Sequence, residues 1–180
     1  MAQKIKAVYE NEVVPYLKET FEYKNIHEIP KIEKIQINRG LGIAAQNNKV
    51  LQKSIDEIRQ ITGQQPVITT ATKSIAGFKV REEMPLGITT TLRREKMYTF
   101  LDRFINLTLP RIRDFQGLDP NKFDKHGNYN LGIPDQLIFP EIDYEQVDQM
   151  LGLNITIVTT AKNSKEGLAL LNKIGIPFSK

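Results

Sequence analysis

The chain of 180 residues is long enough for one sizeable hydrophobic core, and its 40% apolar content argues against a disordered protein. It contains no cysteine, which excludes disulfides, thiolate metal sites and cysteine nucleophiles. The net charge is only +4, but residues 31–97 carry twelve basic and six acidic side chains, and the rest of the chain is slightly acidic. This clustering is typical of a protein that binds a polyanion, although a solvated basic face explains the charge alone about equally well.

The N-terminal segment is mixed in charge and lacks the apolar stretch of a secretory signal, and no run of 18 apolar residues occurs. We therefore expect neither a secretory signal nor a membrane-spanning segment.

Residues 3–21 have apolar side chains at nearly helical spacing, interrupted by Pro15, which predicts a helix that is kinked or split there. Residues 31–38 alternate toward their end, with Ile35 and Ile37 on one face. This alternation predicts a half-buried strand with one polar face. The polar face carries Lys34, Gln36 and Asn38.

Residues 39–42 leave this strand and lead to a second helix. Asn47 or Asn48 can cap the start of that helix, and Gly63 is the glycine expected at its end. A short strand over residues 65–70 follows.

A long loop is predicted over residues 72–87, because glycine, proline and mixed charges replace any apolar period. Loops of this length in a compact domain are usually functional or disordered. Ile88–Arg94 forms the next strand, and its alternation again separates an apolar face from a polar one. The polar face carries Thr89, Thr91 and Arg93.

The remaining chain predicts a helix over 96–109, a turn-rich segment over 117–132, a strand over 153–160 and a closing helix ending at Gly175. Helices and two-faced strands that do not alternate regularly favour an α+β fold with a mostly antiparallel sheet. We expect a single domain over residues 1–180.

Gly40 to Ala45 fits the G-x-G-x-x-A pattern, in which glycines let the backbone approach a pyrophosphate. A dinucleotide site also needs an acidic residue at the end of the second strand. Here the nearest acidic residues, Asp56 and Glu57, fall inside the helix instead, which argues against such a site. A nucleotide-binding module that uses Gly40 and Gly42 is therefore kept only as the alternative hypothesis.

Catalysis and metal binding find no support in the sequence. His27 and His126 are the only histidines, and neither has a second ligand at metal-binding spacing. The acidic residues near Asp119 lie among turn residues, where aspartate is usual for local hydrogen bonds. We expect no enzyme activity, metal site or cofactor.

RNA binding explains more features of the sequence than nucleotide binding, catalysis or metal binding does. Amide and hydroxyl groups on two strands can bond ribose and phosphate, while the surrounding arginines and lysines neutralise charge. Phe78 in the loop could stack on a base or sugar, although core packing is the commoner role of a phenylalanine. Ordinary strand propensity would likewise explain the threonines. The polar strand faces, the basic segment and the loop nevertheless coincide, which favours RNA.

Several stretches closely resemble the large-subunit ribosomal protein five family, of bacterial or organellar type, and the resemblance covers essentially the whole chain. The stretches are Ile37–Gly42, Ile58–Ser74, Leu92–Arg94, Leu109–Phe115, Gly127–Asn130, Leu137–Ile142 and Gly175–Phe178.

The resemblance implies a non-enzymatic constituent of the large ribosomal subunit that binds 5S rRNA in the central protuberance. It implies a curved antiparallel sheet with helices packed on one side. The family's RNA contacts correspond to Asn38, Gln64, Phe78 and Thr91. With the residues of the basic strands, the predicted rRNA-binding set is Lys34, Gln36, Asn38, Arg39, Gln64, Phe78, Thr89, Thr91, Arg93 and Arg94.

The resemblance further implies that the loop meets the elbow of P-site tRNA. The loop residues concerned are Lys73, Ser74, Ala76, Gly77, Lys79 and Arg81. Further partners would be large-subunit rRNA, neighbouring large-subunit proteins and small-subunit ribosomal protein thirteen, met in an intersubunit bridge. The expected location is the ribosome, in a bacterial cytoplasm or a plastid stroma. Many relatives carry basic residues where Thr70 and Thr72 stand here, so a weaker electrostatic contribution is expected near Lys73.

Overall fold

A computed structural model describes residues 2–42, 47–144, 147 and 149–179. Residues 43–45 of the G-x-G-x-x-A pattern lie outside the described residues. The helices are α1 Ala2–Val8, α2 Val14–Thr20, α3 Asn48–Thr62, α4 Arg94–Arg103 and α5 Ser164–Ile174. The strands are β1 Ile32–Gly40, β2 Val67–Thr70, β3 Pro85–Leu92, β4 Tyr129–Ile133 and β5 Leu153–Thr159.

The N-terminal helix is split, as Pro15 predicts. Helix α1 passes into a π-helical segment, Tyr9–Val13, and α2 begins with Pro15 in its first turn. Val13 and Val14 keep helical dihedrals and the Val14 amide donates to Tyr9 O, so the wider π-helical turn accommodates the proline. Helix α3 also begins and ends as predicted: the Asn47 side chain accepts from the Lys49 amide at 3.1 Å, and Gly63 follows with φ 67°.

The five strands form one antiparallel sheet in the order β2-β3-β1-β5-β4, with helices packed alongside. The prediction of an α+β fold with a mainly antiparallel sheet is therefore confirmed. Strand β2 lies at one end of this order and pairs with β3 in the register Val67 to Thr89. Its apolar side chains Val67 and Ile68 are 66% and 41% exposed.

Burial alternates along most of β1, along β4 and β5 and along the second half of β3, so these strands present one face to a core, whereas no residue of β2 is buried. The buried residues of β1, β3 and β5 are mostly aliphatic, as expected for a sheet covered on one side. They are Ile32, Ile35, Ile37, Arg39, Gly87, Ile88, Thr90, Leu92, Leu153, Ile155, Ile157 and Thr159.

The chain divides into two compact units. The first comprises residues 1–35, 93–131 and 156–180, and the second comprises residues 36–92 and 132–155. The organisation as a single domain over 1–180 stays a prediction.

A tight turn in the first unit joins the start of β4 to the end of β5. The Asp124 carboxylate accepts from the backbone amides of His126 at 2.9 Å and Asn128 at 2.7 Å, and from the Asn128 side chain at 2.8 Å. Burial raises the pKa of Asp124, but these hydrogen bonds outweigh it and the pKa is lowered overall. Thr159 then donates to Gly127 O at 2.8 Å, which fixes the turn against β5.

Candidate nucleic-acid interface

The polar residues predicted on β1 and β3 lie on the side of the second unit that faces away from its core. Gln36 and Asn38 are exposed, and Thr89 and Thr91 are half-buried, each between two buried neighbours. Because β1 and β3 are adjacent in the sheet, these side chains share one surface. We call these four residues, together with Gln64, the polar strand face.

Two members of the polar strand face are held by internal hydrogen bonds. The Gln64 side chain donates from Nε2 to Thr91 O at 3.1 Å, and its oxygen, which has no partner among the described residues, can still accept. The Thr89 hydroxyl donates to Ile37 O at 3.2 Å, so Thr89 can only accept from a ligand. The side chains of Gln36 and Asn38 have no hydrogen-bond partner within the described part of the chain.

Arg39 does not belong to this surface, and its predicted RNA contact needs correction. Strand β1 continues through Arg39 to Gly40, so strand alternation places Arg39 with Ile35 and Ile37 on the buried face. The side chain is 0% exposed, and its Nη1 donates to Glu57 Oε2 at 2.5 Å. A guanidinium paired in this way cannot reach a phosphate, so Arg39 has a structural role.

The other predicted cations, Lys34, Arg93 and Arg94, belong to the first unit. Lys34 is half-buried, and Arg93 and Arg94 are exposed. Arg93 Nη1 lies 3.3 Å from Glu33 Oε1, and both side chains are about half exposed. Exposed pairs of this kind are weak, so Arg93 can exchange its carboxylate partner for a phosphate.

The predicted loop over 72–87 is in fact an ordered extension of the β2–β3 hairpin, because β3 already begins at Pro85. Ala71 N donates to Met84 O at 2.8 Å, and Ile75 and Val80 exchange backbone hydrogen bonds of 2.9 and 3.2 Å. A 3-10 turn closes the tip, followed by Lys79 with φ 54°. We call residues 71–84 the hairpin arm.

The hairpin arm carries all of the predicted tRNA-contacting residues on its exposed surface. Lys73, Ser74, Ala76, Gly77, Lys79 and Arg81 are all exposed. Phe78 at the tip is 70% exposed, which excludes core packing as its role. It borders an open groove of about 700 Å³ whose apolar lining includes Ala71, Ile75 and Val80.

A feature that the sequence prediction does not include lies beside Asn38. Asn38 and Gly40 of β1, Gly132 of β4 and Asn154 of β5 line an open depression of about 520 Å³ in the second unit. Strand β4 is absent from the prediction because its segment is rich in turn residues. The alternation of Tyr129, Leu131 and Ile133, all buried, was the signal that could have located it.

The nucleotide-binding alternative lacks its acidic group. Glu57 is paired with Arg39, and β2 ends in threonines, so neither place supplies the acidic residue that would bind a ribose. Across residues 2–42, 47–144, 147 and 149–179, no group of three or more His, Cys, Asp or Glu side chains could hold a metal ion. Within the same ranges, no helix is long and apolar enough to cross a membrane.

Comparison with known proteins gives two family matches and many close relatives. The model of "Ribosomal protein L5" matches residues 25–81, and the model of the C-terminal part of the same ribosomal family matches residues 85–178. Large ribosomal subunit protein uL5c of Heterosigma akashiwo is 64% identical over 180 residues, covering 100% of this chain and 99% of that protein. The uL5c of Pyropia yezoensis is 61% identical over 178 residues, covering 99% of this chain and 98% of that protein. Large ribosomal subunit protein uL5 of Microcystis aeruginosa is 60% identical over 178 residues, covering 99% of each.

The fold and the similarities define a non-enzymatic structural component of a ribonucleoprotein that serves translation. The chain belongs to the ribosomal protein L5 family. It is a structural constituent of the large ribosomal subunit, where it associates with rRNA and other ribosomal components, in a plastid or a bacterial cytoplasm. The predicted family is confirmed, and the nucleotide-binding alternative stays an untested hypothesis.

Proposed function

We propose that the polar strand face binds 5S rRNA within the central protuberance of the large subunit. The observation that carries this proposal is that β1 presents exposed amides beside half-buried hydroxyls on the adjacent strand β3, and that these amides have no partner among the described residues. None of the five residues is acidic, so the surface does not repel phosphate. The minor groove of A-form RNA is wide and shallow enough to lie against such a sheet surface.

The five polar groups of this surface have different parts in the proposed complex. Gln36 and Asn38 each offer a donor and an acceptor, which suits ribose hydroxyls and base edges. Gln64 is oriented before binding by its bond to Thr91 O, so little side-chain entropy is lost when its oxygen accepts from RNA. Lys34, Arg93 and Arg94 of the first unit are proposed to neutralise phosphates.

Phe78 is proposed as a stacking residue. A phenylalanine that is 70% exposed leaves most of its apolar surface in water, and a base or sugar would cover it favourably. Phe78 lies at the tip of the hairpin arm and is therefore not part of the polar strand face.

We further propose that the hairpin arm reaches the elbow of P-site tRNA through its exposed cations Lys73, Lys79 and Arg81. The remaining proposed partners are large-subunit rRNA, neighbouring large-subunit proteins and small-subunit ribosomal protein thirteen in an intersubunit bridge. Thr70 and Thr72 leave fewer cations at the base of the arm. Each phosphate contact that is missing lowers the slope of log affinity against log salt by about 0.9 on a duplex.

Asn38→Ala and Thr91→Ala are each expected to weaken 5S rRNA binding by about 1–3 kcal/mol, because polar partners on the RNA would be left buried and unpaired. Filter binding at fixed salt measures the affinity. Gln52→Ala, which removes an exposed amide from α3, is the matched control and should bind as the wild type does. Wild-type affinity for both interface variants would remove these residues from the proposed site.

Lys79→Ala should leave 5S rRNA affinity nearly unchanged and weaken the retention of P-site tRNA on assembled ribosomes, because a phosphate contact at the tip of the arm is lost. Retention is measured as the tRNA dissociation rate from purified ribosomes carrying the variant. Lys165→Ala removes an exposed lysine from α5 and controls for the loss of one positive charge. The opposite pattern, with normal tRNA retention and weak 5S rRNA binding, would refute the role of the arm.

A further inference from the structure

The depression beside Asn38 has the geometry of a small polar subsite. Its floor and walls combine backbone from three adjacent strands with the segment that follows β4, and its volume is about 520 Å³. Besides Asn38, Gly40, Gly132 and Asn154, the lining consists of Ile133, Pro134, Gly152 and Leu153. The depression is therefore continuous with the polar strand face through Asn38.

The backbone that lines the depression lets a ligand approach closely. A Cβ atom added at Gly40 would meet nothing within 4 Å, and one at Gly132 would meet only the Asn154 side-chain oxygen, at 3.5 Å. Neither glycine has a left-handed φ, so neither is needed for the conformation of its own strand. Gly152 differs, because a Cβ there would lie 2.9 Å from Ile133 O, and its absence lets the wall of the depression pack against β4.

The chemistry of the lining selects the kind of ligand. Among the lining residues that the structure describes, neither a charged side chain nor an aromatic ring lines the depression, which disfavours a phosphate and a stacked base. Its polar side chains are the amides of Asn38 and Asn154, and neither has a hydrogen-bond partner among the residues that the structure describes. An amide offers both a donor and an acceptor, and a ribose 2′-hydroxyl requires the same pair.

We propose that the depression receives the ribose edge of one nucleotide of the bound RNA, and that Asn154 together with Asn38 hydrogen-bonds its 2′-hydroxyl. This inference rests on the proposed binding of 5S rRNA and extends it to β4 and β5. It assigns a binding role to Asn154 and makes Gly132 the position where close approach of the sugar requires the absence of a side chain.

The test combines two protein variants with a scan of the RNA. Single 2′-deoxy substitutions are placed one at a time along 5S rRNA, and affinity is measured by filter binding to the wild type, Asn154→Ala and Gly132→Ala. Gly132→Ala adds one methyl group at ordinary van der Waals distance, so the fold tolerates it while the floor is filled. Urea denaturation confirms that both variants are folded, and Gln52→Ala again serves as the control.

Asn154→Ala should bind about 10-fold more weakly, which is the effect of losing one well-placed hydrogen bond. Gly132→Ala should weaken binding by a similar factor, because its methyl group would stand where the sugar approaches. One deoxy position should weaken wild-type binding by a similar factor and have no further effect on Asn154→Ala, because both changes remove the same bond. Two results would overturn this inference and leave the proposed function intact. In the first, the wild type binds 5S rRNA but no deoxy position loses its effect in Asn154→Ala. In the second, both variants bind with normal affinity. Failure of the wild type to bind 5S rRNA would overturn the proposed function and this inference with it.

Discussion

Replacing Glu57 by alanine is expected to lower the free energy of unfolding by about 3–5 kcal/mol, the usual cost of leaving a buried charge without its partner. Arg39 is fully buried, and its ion pair with Glu57 joins β1 to α3. Gln136 contacts both partners, since it accepts from Arg39 Nη2 and donates to Glu57 Oε1, each at 3.5 Å. It also accepts from the Leu151 amide at 2.8 Å and donates to Gln149 O at 3.0 Å. Urea denaturation followed by circular dichroism measures the change.

The neighbouring acid provides a matched control for this prediction. Asp56→Ala removes an exposed carboxylate from the same helix and should change stability by no more than about 0.5 kcal/mol. Replacing both partners, as Arg39→Met with Glu57→Leu, should recover much of the lost stability, because no unpaired charge remains buried. Equal stability of Glu57→Ala and Asp56→Ala would show that the ion pair does not stabilise the fold.

Gly127→Ala is expected to destabilise the protein by about 3 kcal/mol through two additive effects, backbone strain and overpacking. Gly127 has φ 76°, which an alanine adopts only with strain. A Cβ atom there would also lie 2.7 Å from the Ala161 Cβ and 2.9 Å from Asn163 O, so the chain before α5 would have to move. Thermal or urea denaturation of the isolated protein measures the loss.

Gly63→Ala separates the two effects. Gly63 has a similar φ of 67°, but a Cβ there would meet nothing within 4 Å. Its alanine variant should therefore show the backbone strain alone, about 1 kcal/mol. If both variants lose the same stability, the close packing of Gly127 against the chain before α5 contributes nothing measurable.

The faces of the strands could be predicted because their period of two is local and directly readable. Ile35 and Ile37 alternate with Gln36 and Asn38, and the structure buries the first pair and exposes the second. The ends of α3 were equally predictable, because an asparagine cap and a left-handed glycine act on the backbone beside them. Gln36, Asn38, Thr89 and Thr91 of the polar strand face follow from the strand alternation, whereas Gln64 follows only from the family resemblance.

The remaining features depend on contacts between distant parts of the chain. Tyr129–Ile133 becomes a strand through pairing at the end of the sheet, although asparagine and glycine at alternate positions lower its intrinsic strand propensity. Arg39 looks like a surface cation in the sequence, and its buried place depends on Glu57, eighteen positions further on. The depression at Asn154 could not be predicted without β4, because that strand supplies part of its floor.

Strand β2, at the end of the sheet order, has a consequence for the protein before it joins a ribosome. Among the strands that the structure describes, β2 has a neighbour on one edge only, so its outer backbone groups and the exposed side chains of Val67 and Ile68 offer a template with which another extended chain can pair. With only four residues the strand is a poor template, which limits this hazard at low concentration. Newly synthesised copies therefore gain solubility from prompt assembly, and purified stocks will keep best when dilute.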